Sequence, residues 1–342
     1  MDYRELQKQA LVIDCHNDTI VAHIRRGNFG LERGPEGSDR RHPGVIAFLR
    51  GPEGPREGAE DIQINFPKMR EGGIDVGFFA IDVTLALKNQ LAYALDGFGY
   101  LLNDLQGDRA AAVIVRRATD VREAKAAQKL AMLLTVEHAD CTERSLNVLR
   151  ILYELGVRSI GLTHNVSSCA ADGCLEARNG VGLTHFGTAL VREMNRLGML
   201  VDLAHVSPAG FSHALEVSSK PVIFSHGNAK RLCDHPRNLS DDQLRGLAKN
   251  RGVIGLSYVP EFVHSTHPTL ERLLDHIDHV VSVAGIDVVG LGSDFDGGGR
   301  LLKDATQVPR ITEGLMRRGH SETDIRKILG ENTFRVLSEV IG

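Results

Sequence analysis

Short apolar runs alternate with longer amphipathic segments along most of the 342-residue chain. Each run is apolar at consecutive positions and has the length of a strand, which is typical of strands buried on both faces. Such runs occupy residues 11–13, 76–81, 131–136, 159–162, 199–203, 221–224, 252–256 and 288–291. The pattern therefore predicts eight buried strands.

The segments between these runs carry apolar residues at helical spacing. Two of them end at Gly156 and Gly198, and glycine at such a position commonly ends a helix. Ser240 followed by two aspartates is typical of a helix start. Helices are predicted at residues 143–155, 183–197, from Ser240 onward, at 270–284 and at 321–341, with a long helical connection over 84–130 between the second and third strands.

Eight strands alternating with helices predict a TIM-like (β/α)₈ barrel of the metal-dependent hydrolase type, with residues 1–342 forming a single domain. An open doubly wound sheet is the competing architecture. No G-x-G-x-x-G or phosphate-binding loop follows any of the runs, which disfavours a nucleotide site. Residues 27–58 are rich in Gly, Pro and charge and are predicted as a long loop excursion after strand 1.

Composition narrows the functional classes. The net charge of −4 lacks the basic surplus of a nucleic-acid binder, so no nucleic-acid partner is expected. No apolar stretch approaches the roughly 18 residues of a membrane helix, and residues 1–10 lack the apolar core of a secretory signal. We therefore expect a cytoplasmic protein with no membrane partner. The five cysteines are scattered and odd in number, which is not typical of a disulfide framework.

Polar residues that could bind a metal follow the predicted strands with unusual regularity. Because the carboxyl ends of barrel strands share one face, we expect these side chains to converge. Imidazole and carboxylate are the ligands that borderline divalent cations prefer. The candidates are His16 and Asp18 after the first strand, Glu137 after the third, His164 after the fourth, His205 after the fifth, His226 after the sixth and Asp294 after the eighth.

Each candidate also has a purely structural interpretation. His16 and Asp18 are two apart on an extended segment and point to the same side, but a buried His can simply hydrogen-bond a neighbouring strand. Glu137 could bridge two cations about 3.5–4 Å apart, or pair with an Arg. Asp294 is the general-base candidate, although it could instead cap the next turn, and Asp296 could take its place.

Other hydrolytic chemistries are less well supported by the sequence. No G-x-S-x-G elbow is present. A cysteine nucleophile is conceivable at Cys15 or Cys233, but neither has an evident base nearby. Eight further histidines are predicted to lie on the surface, namely His138, His185, His213, His235, His264, His267, His276 and His279.

Six ordered segments resemble those of the membrane (renal) dipeptidase family of the amidohydrolase superfamily. The run Ile-Asp-Cys-His-Asn-Asp at 13–18 resembles the family's D-G-H-N-D opening, although Cys15 replaces the usual Gly. Further segments similar to G-L-T-H-N, I-D-L-A-H-V-S, P-V-I-F-S-H, R-N-x-x-D-D and G-x-D-F-D-G lie at residues 161–165, 200–207, 221–226, 237–242 and 292–297.

The resemblance implies two zinc ions per chain and hydrolysis of small dipeptides, some with a D-residue at the C-terminal position. It implies that His16 and Asp18 bind one zinc and that His205 and His226 bind the other. Glu137 would bridge the two ions.

The resemblance also implies roles around the substrate. His164 would contact the substrate and stabilise the oxyanion, Arg237 would pair with the substrate carboxylate, and Asp294 would shuttle the proton. Many members carry a substrate-holding Tyr near position 259, where this chain has Val259, so that Tyr258 is the candidate here. The resemblance points to a homodimer.

Two other functions remain open from the sequence. The same binuclear centre could act as an amidohydrolase on a β-lactam, a lactone or an N-acyl amino acid. The barrel could alternatively be a non-catalytic binding protein. Polar residues at so many strand ends argue against the second alternative, because an idle site has no need of buried polar groups.

Overall fold

The computed structural model describes residues 2–25, 29–34, 62–86, 88–107 and 111–342, so most of the predicted 27–58 excursion lies outside the described residues. Within these ranges nine parallel strands form one sheet. They are β1 (Ile13–Asn17), β2 (Val76–Asp82), β3 (Ala112–Ile114), β4 (Leu130–Glu137), β5 (Val157–Gly161), β6 (Leu200–Asp202), β7 (Ile223–Gly227), β8 (Val253–Leu256) and β9 (Val289–Leu291).

The sheet closes into the predicted eight-stranded barrel. Its strand order is β2-β1-β9-β8-β7-β6-β5-β4, and β2 also pairs with β4. The closing ladder runs from Val76 opposite Ala131 to Asp82 opposite Glu137. The closed parallel barrel is confirmed, and the open doubly wound alternative is wrong.

The short strand β3 is the one strand in the described ranges that the sequence pattern did not predict. It pairs with β4 at Leu130–Met132, whereas β5 pairs with the same strand further along, at Leu134–Val136. Both therefore share one edge of β4, and β3 stands outside the eight strands of the barrel. Three residues are too few to be separated from a helical pattern by periodicity, which is why 84–130 was predicted as continuous helix.

Helices surround the barrel and begin at residues that the sequence marks. Ser145 accepts a hydrogen bond from the Val148 amide, so the helix predicted from 143 begins at Leu146. Gly156 and Gly198 end their helices in the left-handed conformation, as predicted. The α-helices are α1 (Tyr3–Gln9), α2 (Thr19–Arg25), α3 (Phe66–Gly72), α4 (Gln90–Gly107), α5 (Ala118–Ala126), α6 (Leu146–Leu155), α7 (His185–Leu197), α8 (Pro208–Val217), α9 (Asp241–Asn250), α10 (Pro260–Val263), α11 (Leu270–Ala284), α12 (Pro309–Arg317), α13 (Glu322–Arg326) and α14 (Asn332–Ile341).

The last helix, α14, lies at the amino-terminal end of the barrel strands. The Lys220 ammonium donates to the Glu339 carbonyl, and Arg251 pairs with the Glu339 carboxylate. Lys220 and Arg251 immediately precede β7 and β8, so α14 covers the end of the barrel opposite the polar residues. None of the helices in the described ranges has the length and apolar content needed to cross a membrane.

Candidate active site

The carboxyl ends of the strands open into a cavity of about 740 Å³. All of the predicted site residues except Tyr258 line it. These residues are His16, Asp18, Glu137, His164, His205, His226, Arg237 and Asp294. The structure thus brings together side chains that are up to 278 positions apart in the chain, between His16 and Asp294.

Glu137, the last residue of β4, stands among four imidazoles and directs its two oxygens to different sets of them. Its Oε1 lies 2.8 Å from Nε2 of His205 and 3.7 Å from Nε2 of His226. Its Oε2 lies 3.9 Å from Nε2 of His16 and 3.9 Å from Nε2 of His164. The carboxylate therefore lies between two groups of potential ligands.

The imidazoles of His205 and His226 face each other with their Nε2 atoms 2.9 Å apart. Nδ1 of His205 lies 2.9 Å from Oδ1 of Asn165, an oxygen that can only accept, so Nδ1 carries the proton and Nε2 presents a lone pair. Ser225 Oγ lies 2.9 Å from Nδ1 of His226. Burial lowers the pKa of both imidazoles well below the usual value, which favours the neutral form that binds metals.

Two buried carboxylate oxygens of this site have no hydrogen-bond donor among the described residues, namely Oε1 of Glu137 and Oδ1 of Asp18. Buried acceptors are rarely left in this state, and Oε1 of Glu137 faces the lone pair of His205 instead of a donor. A cation beside either oxygen would supply the positive charge that it lacks. Three sets of ligand atoms lie close enough to hold one: His16, Glu137 and His226; Glu137, His164 and His205; and His16, Asp18 and Asp294.

His16, on β1, is the imidazole of this site that favours the protonated form. Its Nε2 lies 3.5 Å from Oδ2 of Asp18. Burial lowers the pKa of His16, but Glu137 and Asp18 outweigh burial and raise it to about 10. In the absence of a cation, His16 is therefore protonated, and its positive charge offsets the negative charges of Glu137 and Asp18.

Asp294 follows β9 and enters the cavity on a tight turn with φ of 59°. Its amide donates to the His16 carbonyl at 3.0 Å, which joins the ends of β9 and β1. A Cβ at Gly297 would collide with Oδ2 of Asp18 and Oδ1 of Asp294, so glycine is needed for the two carboxylates to converge. Burial raises the pKa of Asp294 to about 7, with Asp18 adding to this shift and His16 opposing it.

Asp296, the alternative base, is engaged in structural hydrogen bonds. Its Oδ1 accepts from the Gln63 amide at 2.8 Å, and its Oδ2 accepts from the Thr19 hydroxyl at 3.0 Å. Asp296 thereby fastens the segment before α3 to the barrel. Although it lines the cavity, its oxygens are less available for proton transfer than those of Asp294.

Arg237 offers a buried guanidinium on another wall of the cavity. One of its terminal nitrogens donates to the His226 carbonyl at 3.0 Å, and its guanidinium carbon lies 5.8 and 5.3 Å from the ring centroids of Phe224 and Phe262. Its Nε and Nη1 have no hydrogen-bond partner among the described residues. Each of these unpaired nitrogens can donate a charge-assisted hydrogen bond to an anionic group such as a carboxylate.

The model of the membrane dipeptidase family, peptidase family M19, matches residues 1–341. The chain belongs to this family. The resemblance seen in the six segments is therefore confirmed.

Individual relatives agree with this assignment. Dipeptidase verJ of Clonostachys rogersoniana is 38% identical over 232 residues, a match that spans 66% of this chain and 60% of that protein. A metallopeptidase of Rhodobacter sphaeroides, liganded with a phosphinate mimic of the dipeptide L-Ala-D-Ala, is 27% identical with a TM-score of 0.83 and covers 97% of this chain and 99% of its own. Dipeptidase AC, an M19 metallopeptidase, gives the same values.

Tyr258 does not reach the cavity. Its side chain is buried, with its ring edge-on to that of Phe295 at a centroid distance of 5.4 Å. Val259 lines the cavity in its place. Cys15, where the resembling family segment has Gly, is also buried, and its Sγ lies 3.4 Å from the Thr333 hydroxyl of α14.

Two histidines predicted on the surface are buried. His138 is 3% exposed and pairs with Asp140 at 3.1 Å. His276 is 1% exposed and contacts the Val263 carbonyl at 2.9 Å. The prediction was wrong because both residues have polar partners in the interior, which the sequence pattern does not reveal.

Sequence reasoning also missed the residues that hold the ligands in place. Oδ1 of Asp202 accepts hydrogen bonds from the amides of Ala204 and Ser225, both at 3.0 Å, and so fixes the segments that carry His205 and His226. Asp14 accepts two bonds from Ser293, next to Asp294. For Asp202 the available signal was a lone acidic residue within the apolar run at 199–203, which needs buried donors.

Proposed function

We propose that this protein is a metal-dependent dipeptidase that hydrolyses the peptide bond of small dipeptides. The observation that supports the proposal most directly is the position of Glu137. Its Oε1 lies near His205 and His226, and its Oε2 lies near His16 and His164. Family membership supports peptide hydrolysis. The phosphinate mimic of L-Ala-D-Ala bound by the Rhodobacter metallopeptidase supports a substrate with a D-residue at its C-terminal position.

The proposed cofactor is a pair of zinc ions. The donor set of imidazoles and carboxylates suits this metal. His16 and Asp18 would hold one ion, His205 and His226 the other, and Glu137 would contribute one oxygen to each. When bound, such ions polarise a carbonyl oxygen and lower the pKa of water toward neutrality.

The chain's own residues then bind the substrate and move its protons. Arg237 holds the free C-terminal carboxylate with its two unpaired donors, which favours dipeptides over longer chains because the carboxylate then lies one residue from the scissile bond. His164 stabilises the oxygen that becomes negatively charged as the carbonyl carbon is attacked. Asp294 accepts a proton from the attacking water and donates it to the leaving amine, so one water is added across the C–N bond.

The proposal is tested with purified full-length protein whose metal content is measured by elemental analysis. The zinc-loaded protein is assayed on the four stereoisomers of Ala-Ala, on their C-terminal amides, on N-acyl amino acids, on a β-lactam and on a lactone. The expected result is about two zinc ions per chain and hydrolysis of dipeptides with a free carboxylate. Activity confined to N-acyl amino acids, β-lactams or lactones would favour the broader amidohydrolase. Inactivity after zinc loading would favour a binding protein.

A further inference from the structure

One carboxylate of the cavity has no part in the chemistry described so far. Asp82 ends β2, lines the cavity and is 7% exposed. Its Oδ1 accepts from the Thr84 amide at 2.8 Å and from the Thr84 hydroxyl at 2.7 Å, which fixes the side chain. Its Oδ2 lies 3.8 Å from Nε2 of His164.

The second oxygen of Asp82 is not used to hold the fold together. No hydrogen bond to Oδ2 is formed by the part of the chain that the structure describes, and no ion pair joins it to Arg25, the exposed cation lining the same cavity. Asp296 offers the contrast, because both of its oxygens accept hydrogen bonds. Asp82 lines the cavity, so this oxygen is available to accept a hydrogen bond from a bound ligand.

The position of Asp82 in the barrel indicates which ligand group it meets. In the order β2-β1-β9-β8-β7-β6-β5-β4, closed by the β2–β4 pair, β2 and β7 are four strands apart in either direction. Asp82 therefore lies across the mouth from Arg237, which is bonded to the end of β7. Nε2 of His164 is near both Asp82 and Glu137, at 3.8 Å from Asp82 Oδ2 and 3.9 Å from Glu137 Oε2.

We propose that Asp82 binds the free α-ammonium group of the dipeptide's N-terminal residue. This inference rests on the proposed function. A dipeptide zwitterion carries its carboxylate and its ammonium at opposite ends of the scissile bond. With the carboxylate on Arg237 and the carbonyl beside Glu137 and His164, the ammonium extends toward β2, where Asp82 Oδ2 accepts its proton in a charge-assisted hydrogen bond.

The test compares a dipeptide with an analogue that lacks the amine: L-Ala-D-Ala against propionyl-D-Ala. Asp82→Asn retains an oxygen for Thr84 but removes the charge. We expect kcat/KM for the dipeptide to fall roughly 10- to 100-fold, mostly through KM, because hydrogen bonds to charged groups have about this effect. The value for propionyl-D-Ala should stay within about twofold of wild type.

Thr84→Val is the matched control. It removes the hydroxyl that lies 3.3 Å from Nδ1 of His164 and that also bonds Asp82 Oδ1, but it keeps the Asp82 carboxylate, its charge and the bond from the Thr84 amide. If Asp82 merely positions His164, each of the variants Asp82→Asn and Thr84→Val will lower kcat/KM for L-Ala-D-Ala and for propionyl-D-Ala to the same extent. That result would overturn the proposal. It is also overturned if Asp82→Asn changes only a preference for Lys-D-Ala over Ala-D-Ala, since the side chain would then be the group recognised.

A binding measurement tests the role of Asp82 independently of whether the protein hydrolyses dipeptides. Phosphinate mimics of the dipeptide with and without the α-amino group are titrated into the zinc-loaded protein by calorimetry. A wild-type preference for the amino form that Asp82→Asn abolishes supports the role of Asp82 whether or not turnover is seen. Dipeptide turnover without such a preference keeps the proposed function and removes the role of Asp82.

Discussion

Oδ1 of Asn165 lies 2.9 Å from Nδ1 of His205, and this contact decides which nitrogen of the imidazole carries the proton. The amide oxygen accepts, so Nδ1 donates and Nε2 is left as a lone pair directed at Glu137 and His226. Asn165 itself has φ of 59°, a conformation that asparagine adopts more readily than most residues. A residue 40 positions before His205 thus sets the tautomer that metal binding through Nε2 would require.

Removing this amide is expected to weaken zinc binding. Asn165→Gly tolerates the positive φ and deletes the acceptor, so zinc affinity should fall roughly 10- to 100-fold, as for other partners of metal-bound histidines. Affinity is measured by competition with a chelating dye. Asn165→Asp keeps the oxygen and should retain affinity. Equal zinc affinity in Asn165→Gly and the wild type would show that the hydrogen bond from His205 to Asn165 is not needed for metal binding.

Glu137 should be the most sensitive position for metal content. Glu137→Gln replaces one of the two oxygens with an NH₂ group and removes the charge shared by both sets of ligands. Zinc per chain should fall from two to one or none, and kcat/KM by at least about 100-fold. The exposed Glu143, six positions further along, provides the control Glu143→Gln, which should bind metal normally. Two zinc ions in Glu137→Gln would refute a bridging role.

Asp294→Asn should separate proton transfer from metal binding. If Asp294 shuttles the proton, kcat should fall roughly 10²- to 10⁴-fold while zinc content stays near that of the wild type. Steady-state kinetics and elemental analysis on the same preparation decide this. Asp296→Asn should instead lower the melting temperature, since it weakens the bonds to Gln63 and Thr19. Near-normal turnover in Asp294→Asn would remove the shuttle role.

The convergence of the ligands could be predicted because it follows from architecture alone. Once strand-length apolar runs alternate with helices, the barrel places every strand end on one face. His16, Glu137 and His226 each follow such a run by one to three residues, so their meeting requires no knowledge of side-chain conformation. Cytoplasmic location and a homodimer stay predictions.

The residues that support the ligands could not be predicted, because their roles depend on contacts that no sequence spacing encodes. Asp202 bonds to the amide of Ser225, 23 positions away on the next strand. Tyr258 and Val259 are adjacent in the chain, yet only Val259 faces the cavity. Which neighbour faces inward is set by the backbone after β8, where the regular alternation of a strand has ended.

Arg237→Met should raise KM selectively for substrates that carry a free C-terminal carboxylate. The guanidinium has two unpaired donors in the described structure, and losing a charge-assisted hydrogen bond to the substrate should raise KM roughly 10- to 100-fold. The C-terminal amide of the same dipeptide, already a poor substrate, should be affected little. Arg237→Lys keeps the charge but not the planar guanidinium with its fixed donors and should be intermediate. An equal loss on acid and amide would mean that Arg237 only supports His226.

Once a chelator has removed the metal, the free energy of unfolding should decrease as the pH rises above 7. The pKa of His16 is about 10 in the folded protein without metal, because Glu137 and Asp18 outweigh burial. An unfolded His titrates near 6.5. The folded state therefore holds this proton more tightly, so its stabilising effect is complete below about pH 6.5 and is lost as the pH rises toward 10. His205 and His226 are neutral in both states in this range and contribute nothing to the change.

Urea unfolding at about pH 7, 8 and 9 measures this effect. In EDTA the unfolding midpoint should decrease from pH 7 to pH 9. With zinc bound it should decrease less, since a metal ligand has already lost its proton. His16→Asn should flatten the pH dependence in EDTA. If the curves in EDTA and in zinc fall in parallel, the proton on His16 is not what the cation replaces, and His16 lies outside the metal centre.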